Sequence, residues 1–138
     1  MKKTKRTLLC LMLAVLMVMS CAITAMAASG SGTAVSGSNR YPFSWNIYIT
    51  STYGAANVST TDAPTTVRAR AQNYLYSEIN KIYGDSEEAD ETGYGTVTAK
   101  ANNIMIKGKY KIPSCQIVNT TANFYVAGQR VVTTTEAP

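Results

Sequence analysis

The chain has 138 residues, with 13 Lys and Arg against eight Asp and Glu, three Cys and no His. That length carries one domain and little more. Without His there is no Ser-His-Asp triad, no Cys-His pair and no His-rich zinc site, which removes most hydrolytic mechanisms.

The first element in chain order is an export signal. Lys2, Lys3, Lys5 and Arg6 form a basic n-region, Leu8 to Met19 form an uncharged apolar run, and Ala25-Met26-Ala27 is an A-x-A site. Together they predict a signal peptide over 1–27, with cleavage between Ala27 and Ala28, and a secreted or extracellular protein, including one held at the cell surface. A transmembrane anchor is the first alternative, but the apolar stretch is only marginally long enough and no basic stop-transfer flank follows it, so no stable anchor is expected. Val18-Met19-Ser20-Cys21 loosely resembles a lipobox and offers a second alternative, lipoprotein processing at Cys21, although Met fits its second position poorly.

Removing the signal changes the charge. The formal +5 falls to +1, with nine basic residues left against eight acidic ones. A nucleic-acid partner is therefore not expected. Cys10 and Cys21 leave with the signal, so Cys115 has no intramolecular partner. A lone thiol can pair between molecules, but its alternation with Ile117 favours packing as a small buried hydrophobe.

After residue 27, Leu75 is the last leucine, while Thr, Val, Ile and Tyr dominate. These side chains suit a pleated, half-buried surface and are mediocre in helices. An all-β domain follows. Residues 28–40 (ASGSGTAVSGSNR) are rich in Gly and Ser without periodicity and read as a flexible linker. The folded domain is expected over 41–135, with 136–138 as a tail. Trp45 to Tyr53 alternates Trp45, Ile47 and Ile49 with Asn46, Tyr48 and Thr50, a strand with one buried face. Gly54-Ala55-Ala56 is expected to turn the chain, Val58 to Thr61 to return it, and Asp62-Ala63-Pro64 to break the pattern.

Thr65 to Tyr83 carries two periodicities. Val67, Ala71, Leu75, Ile79 and Ile82 recur at helical spacing, whereas Val67, Ala69 and Ala71 alternate with Arg68, Arg70 and Gln72. Tyr74, Tyr76 and the β-branched residues favour the strand. The alternative is an α+β fold with one helix near 65–83.

Asp85 to Glu91 (DSEEADE) reads as a solvated acidic hairpin loop, since it lacks the spacing of a calcium-binding EF-hand loop. Val97, Ala99 and Ala101 then alternate with Thr96, Thr98 and Lys100. A further run puts Ile104, Ile106, Tyr110 and Ile112 on one face and Met105, Lys107, Lys109 and Lys111 on the other, with a bulge expected at Gly108. Pro113 ends it. The segment after Cys115 leads into Ala122, Phe124 and Val126, and Ala127-Gly128-Gln129 joins it to Arg130 to Thr135 as a hairpin. About six to eight short strands at this spacing predict a small antiparallel β-sandwich.

No catalytic, cofactor-binding or metal site emerges. Asp62 and Glu78 are a nominal carboxylate pair with nothing to suggest the cleft and raised pKa that glycoside hydrolysis needs. Gly93-Tyr94-Gly95 lacks the Lys-Ser/Thr of a phosphate loop. No cofactor and no enzymatic activity are expected. Surface chemistry remains. Lys107, Lys109 and Lys111 on one strand face would stand roughly 7 Å apart, a spacing that suits an anionic envelope polymer or, alternatively, guards an exposed strand against pairing. Tyr41, Phe43 and Tyr48 are candidates for stacking on a glycan, with Trp45 matched to Ile47 and assigned to the core.

An export signal, a polar Gly/Ser stretch, SWNIYITSTY, TVRARAQNYLY and the closing TTANFYVAGQRVVTTTE together resemble the small exported β-sandwich proteins of Gram-positive bacteria, a group that includes lactococcin-type bacteriocins of the sandwich class. The resemblance rests on strand chemistry over most of the mature chain. It implies a non-enzymatic protein that binds at the cell envelope or in the extracellular space, and activity against other bacteria as its furthest extension. The acidic segment and the lack of His depart from the bacteriocin pattern. The expected partner is a cell-envelope polymer, a glycan or another protein. The alternatives are a carbohydrate-binding module, or a structural protein that assembles through its strand edges.

Overall fold

A computed structural model describes residues 25–62 and 64–138, and the side chains from Ala27 onward. The n-region, the apolar run and Cys21 lie outside the described residues. The fold is an all-β sandwich of antiparallel strands. One sheet has the order β1 (Ala25–Ser36), β2 (Asn39–Ile49), β3 (Tyr53–Thr60), β7 (Thr96–Asn102). The other has the order β11 (Gln129–Glu136), β10 (Gln116–Val126), β4 (Thr66–Ser77), β5 (Ile82–Asp85), and β6 (Ala89–Tyr94) also pairs with β4. A small hairpin, β8 (Met105–Lys107) and β9 (Tyr110–Ile112), stands apart.

Strand chemistry prevails in the 65–83 region. Along β4, Val67, Ala69, Ala71, Asn73, Leu75 and Ser77 are buried in strict alternation, a period of two that no helix produces. The chain then turns at residues 78–81 into β5, so the helical spacing of Ile79 and Ile82 has no counterpart in the fold; Ile79 is 92% exposed. Between the sheets lie Ile47, Val58, Leu75, Phe124 and Val126, all fully buried. Trp45 of the first sheet meets Phe124 of the second at a ring separation of 5.4 Å.

A polar pin crosses this core. The fully buried Asn73 donates from Nδ2 to the carbonyl oxygens of Ala101 (2.6 Å) and Asn102 (3.2 Å), and its Oδ1 accepts from the Thr120 hydroxyl (2.7 Å). One side chain thus ties β4 and β10 to the end of β7. Gly54 of β3 is pressed against it: an added Cβ would lie 2.2 Å from Thr120 Oγ1 and 2.3 Å from Asn73 Oδ1. Buried polar groups in a core are ordinarily satisfied in this manner.

Four local expectations are corrected. Residues 28–36, expected as a linker, belong to β1, which pairs with β2 through a hairpin at Gly37-Ser38, with φ +62 at Gly37. The ordered region therefore starts ahead of Tyr41, and β11 extends to Glu136. Glycine leaves β1 without large side chains, but rings from β2 take their place: a Cβ on Gly30 would meet the Trp45 indole at 2.7 Å, and one on Gly32 the Phe43 ring at 2.9 Å. Gly54 to Ala56 lie within β3; the reversal precedes them, where Thr50 Oγ1 accepts from the backbone N–H of Thr52 (3.2 Å) and Tyr53 (3.1 Å). Part of the acidic segment, from Ala89, is strand β6. Finally, Gly108 is a turn, not a bulge: with φ +58 it closes β8 onto β9, Met105 is the buried residue, and Ile106 pairs with Lys111. The hairpin between β10 and β11 forms as expected, with φ +52 at Ala127 and +76 at Gly128, the two left-handed residues of a two-residue turn.

Candidate functional site

The turn at Gly108 disperses the lysine stripe. Lys107 ends β8, Lys109 lies in the turn, and Lys111 pairs across from Ile106, so Lys107 and Lys111 point to opposite faces of the hairpin. The Lys107 stem lies over Gly84, where an added Cβ would be 2.8 Å from Lys107 Cε. Lys111 lines a groove of about 170 Å³ with Lys100, Glu87 and Glu88, and a second that it shares with Lys107, Asp85, Glu87 and Glu88. Charges of both signs there remove the cationic track expected for an anionic polymer.

The proposed stacking rings are likewise separated. Tyr41 and Phe43 share the inward face of β2 with Trp45 and Ile47, and Phe43 is buried. Tyr48 points to the other face, where its hydroxyl accepts from Asn46 Nδ2 at 3.0 Å. Of the cleavage-site residues, Ala25, Ala27 and Ala28 all fall in β1, around an irregularity in its pairing with β2 between Met26 and Ala28. Cys115 is buried, and its thiol donates to the Ile112 carbonyl oxygen (3.3 Å). Among the described residues no three His, Cys, Asp or Glu side chains gather as a metal site, and no helix is long and apolar enough to cross a membrane.

A different surface brings functional groups together: the outer face of the sheet built on β4. Because Val67 to Ser77 bury alternate residues, Arg68, Arg70, Gln72, Tyr74 and Tyr76 project from the opposite side. Register adds Tyr83, which pairs with Tyr76 across β5. The Tyr83 ring stacks on Tyr74 at 5.6 Å and 11°, and meets Tyr76 at 4.7 Å and 39°. Tyr74 and Tyr83 remain 39% and 52% exposed, so a cluster of three rings is offered to solvent on a rigid strand pair. Burial, with help from Glu78 and Tyr83, raises the Tyr76 phenol above its ordinary value.

Beside the rings lies a charge network. Arg68 Nε donates to Asp90 Oδ1 (2.7 Å) and its guanidinium forms a second bond to Asp90 Oδ2; Arg70 pairs with Glu88. The Arg68 guanidinium also stands 5.2 Å from the centre of the Tyr125 ring. Its bond to Arg68 holds Asp90 below the ordinary carboxylate range, and Asp90 in turn raises Arg68. The Tyr125 hydroxyl, then Glu88, raises Arg70. Both arginines are thus paired with carboxylates, although Arg70 Nε, 3.6 Å from Asp90 Oδ2, is buried without a hydrogen-bond partner, and the aromatic cluster beside them is the exposed apolar part of the face.

Sequence reasoning missed this cluster, although part of its signal was present. Once Leu75 is inward, Tyr74 and Tyr76 must be outward. Tyr83 carries no such signal, since only the β4–β5 pairing brings it alongside. Comparison with protein-family models, curated proteins and solved structures finds no match to this chain.

Proposed function

We propose that this chain is an exported, non-enzymatic β-sandwich protein that acts by binding at the bacterial cell envelope or in the extracellular space, and that it binds a glycan through the outer face of the β4 sheet. The observation that supports this reading is the exposed cluster of Tyr74, Tyr76 and Tyr83. Pyranose rings present apolar C–H faces that stack on aromatic rings, while their hydroxyls exchange hydrogen bonds with phenol groups. Three rings fixed by two paired strands lose little conformational entropy on binding. Placement on an open sheet face suits a chain of sugars better than an enclosed small molecule. The dispersed lysines weigh against the anionic-polymer version, and the resemblance to sandwich-class bacteriocins would make the glycan part of a target cell's envelope.

The test is co-sedimentation with purified cell walls and with insoluble neutral polysaccharides, comparing the parent with Tyr74→Ala/Tyr83→Ala. Retention should fall at least about tenfold in the double variant, the loss of about 1.4 kcal/mol, and should change little with salt. Equal retention of parent and variant, or a parent that binds none of these polymers, refutes the assignment.

A further inference from the structure

We propose that a second copy of this chain pairs with the edge of β1 that no described strand occupies, antiparallel to it, joining two four-stranded sheets across a twofold axis. Three of the described strands carry no Asp, Glu, Lys or Arg: β1, β3 and β10. Two of these are flanked on both sides, β3 by β2 and β7, and β10 by β11 and β4. β1 has the composition of an interior strand but pairs, among the described strands, with β2 alone.

An uncharged edge is exceptional because its row of unpaired N–H and C=O groups is a template for another strand, and proteins ordinarily blunt such edges with charge, proline or bulges. The other outer strands follow that rule. β11 carries Arg130 and Glu136 and a pairing irregularity between Phe124 and Tyr125; β5 carries Asp85; β6 carries Asp90 and Glu91; β7 carries Lys100. In β1 the only irregularity is at Met26/Ala28, which leaves residues 28–36 regular, uncharged and free of proline. This stretch lies wholly beyond the A-x-A site, so the interface survives cleavage there.

The strand also complements itself. Ala28, Gly30, Gly32 and Ala34 pair with Ile47, Trp45, Phe43 and Tyr41 and so share the inward side, whereas Ser29, Ser31, Thr33 and Val35 face outward. An antiparallel copy centred on Ser31 sets Ser31 opposite itself, Gly30 opposite Gly32 and Ser29 opposite Thr33. Small inward groups then meet small inward groups and hydroxyls meet hydroxyls, with no side chain large enough to hold the backbones apart. Twofold pairing of this kind closes at two copies.

The test uses the full chain as its cell processes it. Sedimentation velocity across a concentration series should reach twice the single-chain mass, and hydrogen exchange should slow in β1 amides as concentration rises while β6 amides stay unchanged. Ser31→Lys/Thr33→Lys places like charges across the axis on the solvent side and should weaken the dimer at least about tenfold, with an unaltered circular dichroism spectrum. A parent that stays monomeric, β1 exchange independent of concentration, or a variant that dimerises as strongly as the parent each overturns the proposal. The exchange measurement needs no substitution and stands even where the variant fails to fold.

Discussion

β1 and β6 each join a sheet through backbone pairing with one neighbour, and they differ in what the side chains add. β6 adds charge to its ladder with β4: Asp90 and the adjoining Glu88 meet Arg68 and Arg70 in an exposed network. β1 has no charge to use, and is held by backbone pairing with β2 and by the Trp45 and Phe43 rings lying across Gly30 and Gly32. An edge held by ion pairs protects itself from other strands and answers to pH and salt. An edge held by backbone and borrowed rings does neither, and remains open to a partner.

The largest effect is expected from removing what both edges depend on. Asn73→Ala leaves the Thr120 hydroxyl and the Ala101 carbonyl buried without their partner, at a cost of about 3 kcal/mol. Chemical denaturation should show it, with exchange accelerated in β1 and β6 together.

A smaller and one-sided loss is expected from Gly30→Ala. The new Cβ must displace the Trp45 indole, costing about 1–2 kcal/mol. Exchange should accelerate in β1 while β6 keeps its protection, and equal acceleration in both would show that the two edges are not independent.

The smallest effect separates the edges by pH. Because Asp90 is held below its ordinary range, its ion pair contributes above the unfolded carboxylate pKa of about 3.9 and is lost as pH falls through the lower folded value. β6 should therefore loosen first in acid, whereas β1, which has no titratable side chain over residues 27–36, should not respond. Asp90→Asn should abolish the difference. Amide exchange corrected for its intrinsic pH dependence is the measurement.

Both edges were hidden in the sequence, for related reasons. Gly and Ser over 28–36 show no hydrophobic period because the groups covering that strand come from Trp45 and Phe43 on another. The acids of 85–91 are exposed as their composition suggests, but the strand that Ala89 opens is hidden because β4, which pairs with it and supplies Arg68 and Arg70 to Asp90 and Glu88, stands some twenty residues earlier. The candidate site was half legible: alternation around Leu75 sends Tyr74 and Tyr76 outward, but nothing local brings Tyr83 to them.

What the sequence determined by itself was the class of fold and the two faces of β2, β7 and the second half of β10, because side-chain alternation is a local property and β-branched and aromatic residues supply it directly. Tertiary structure decided the partners. It chose the reversal at Gly108 that disperses three lysines, the pairing that stacks Tyr83 on Tyr74, and the placement of an uncharged strand at an edge. Each depends on contacts between residues distant in the chain, whose closure no local pattern encodes.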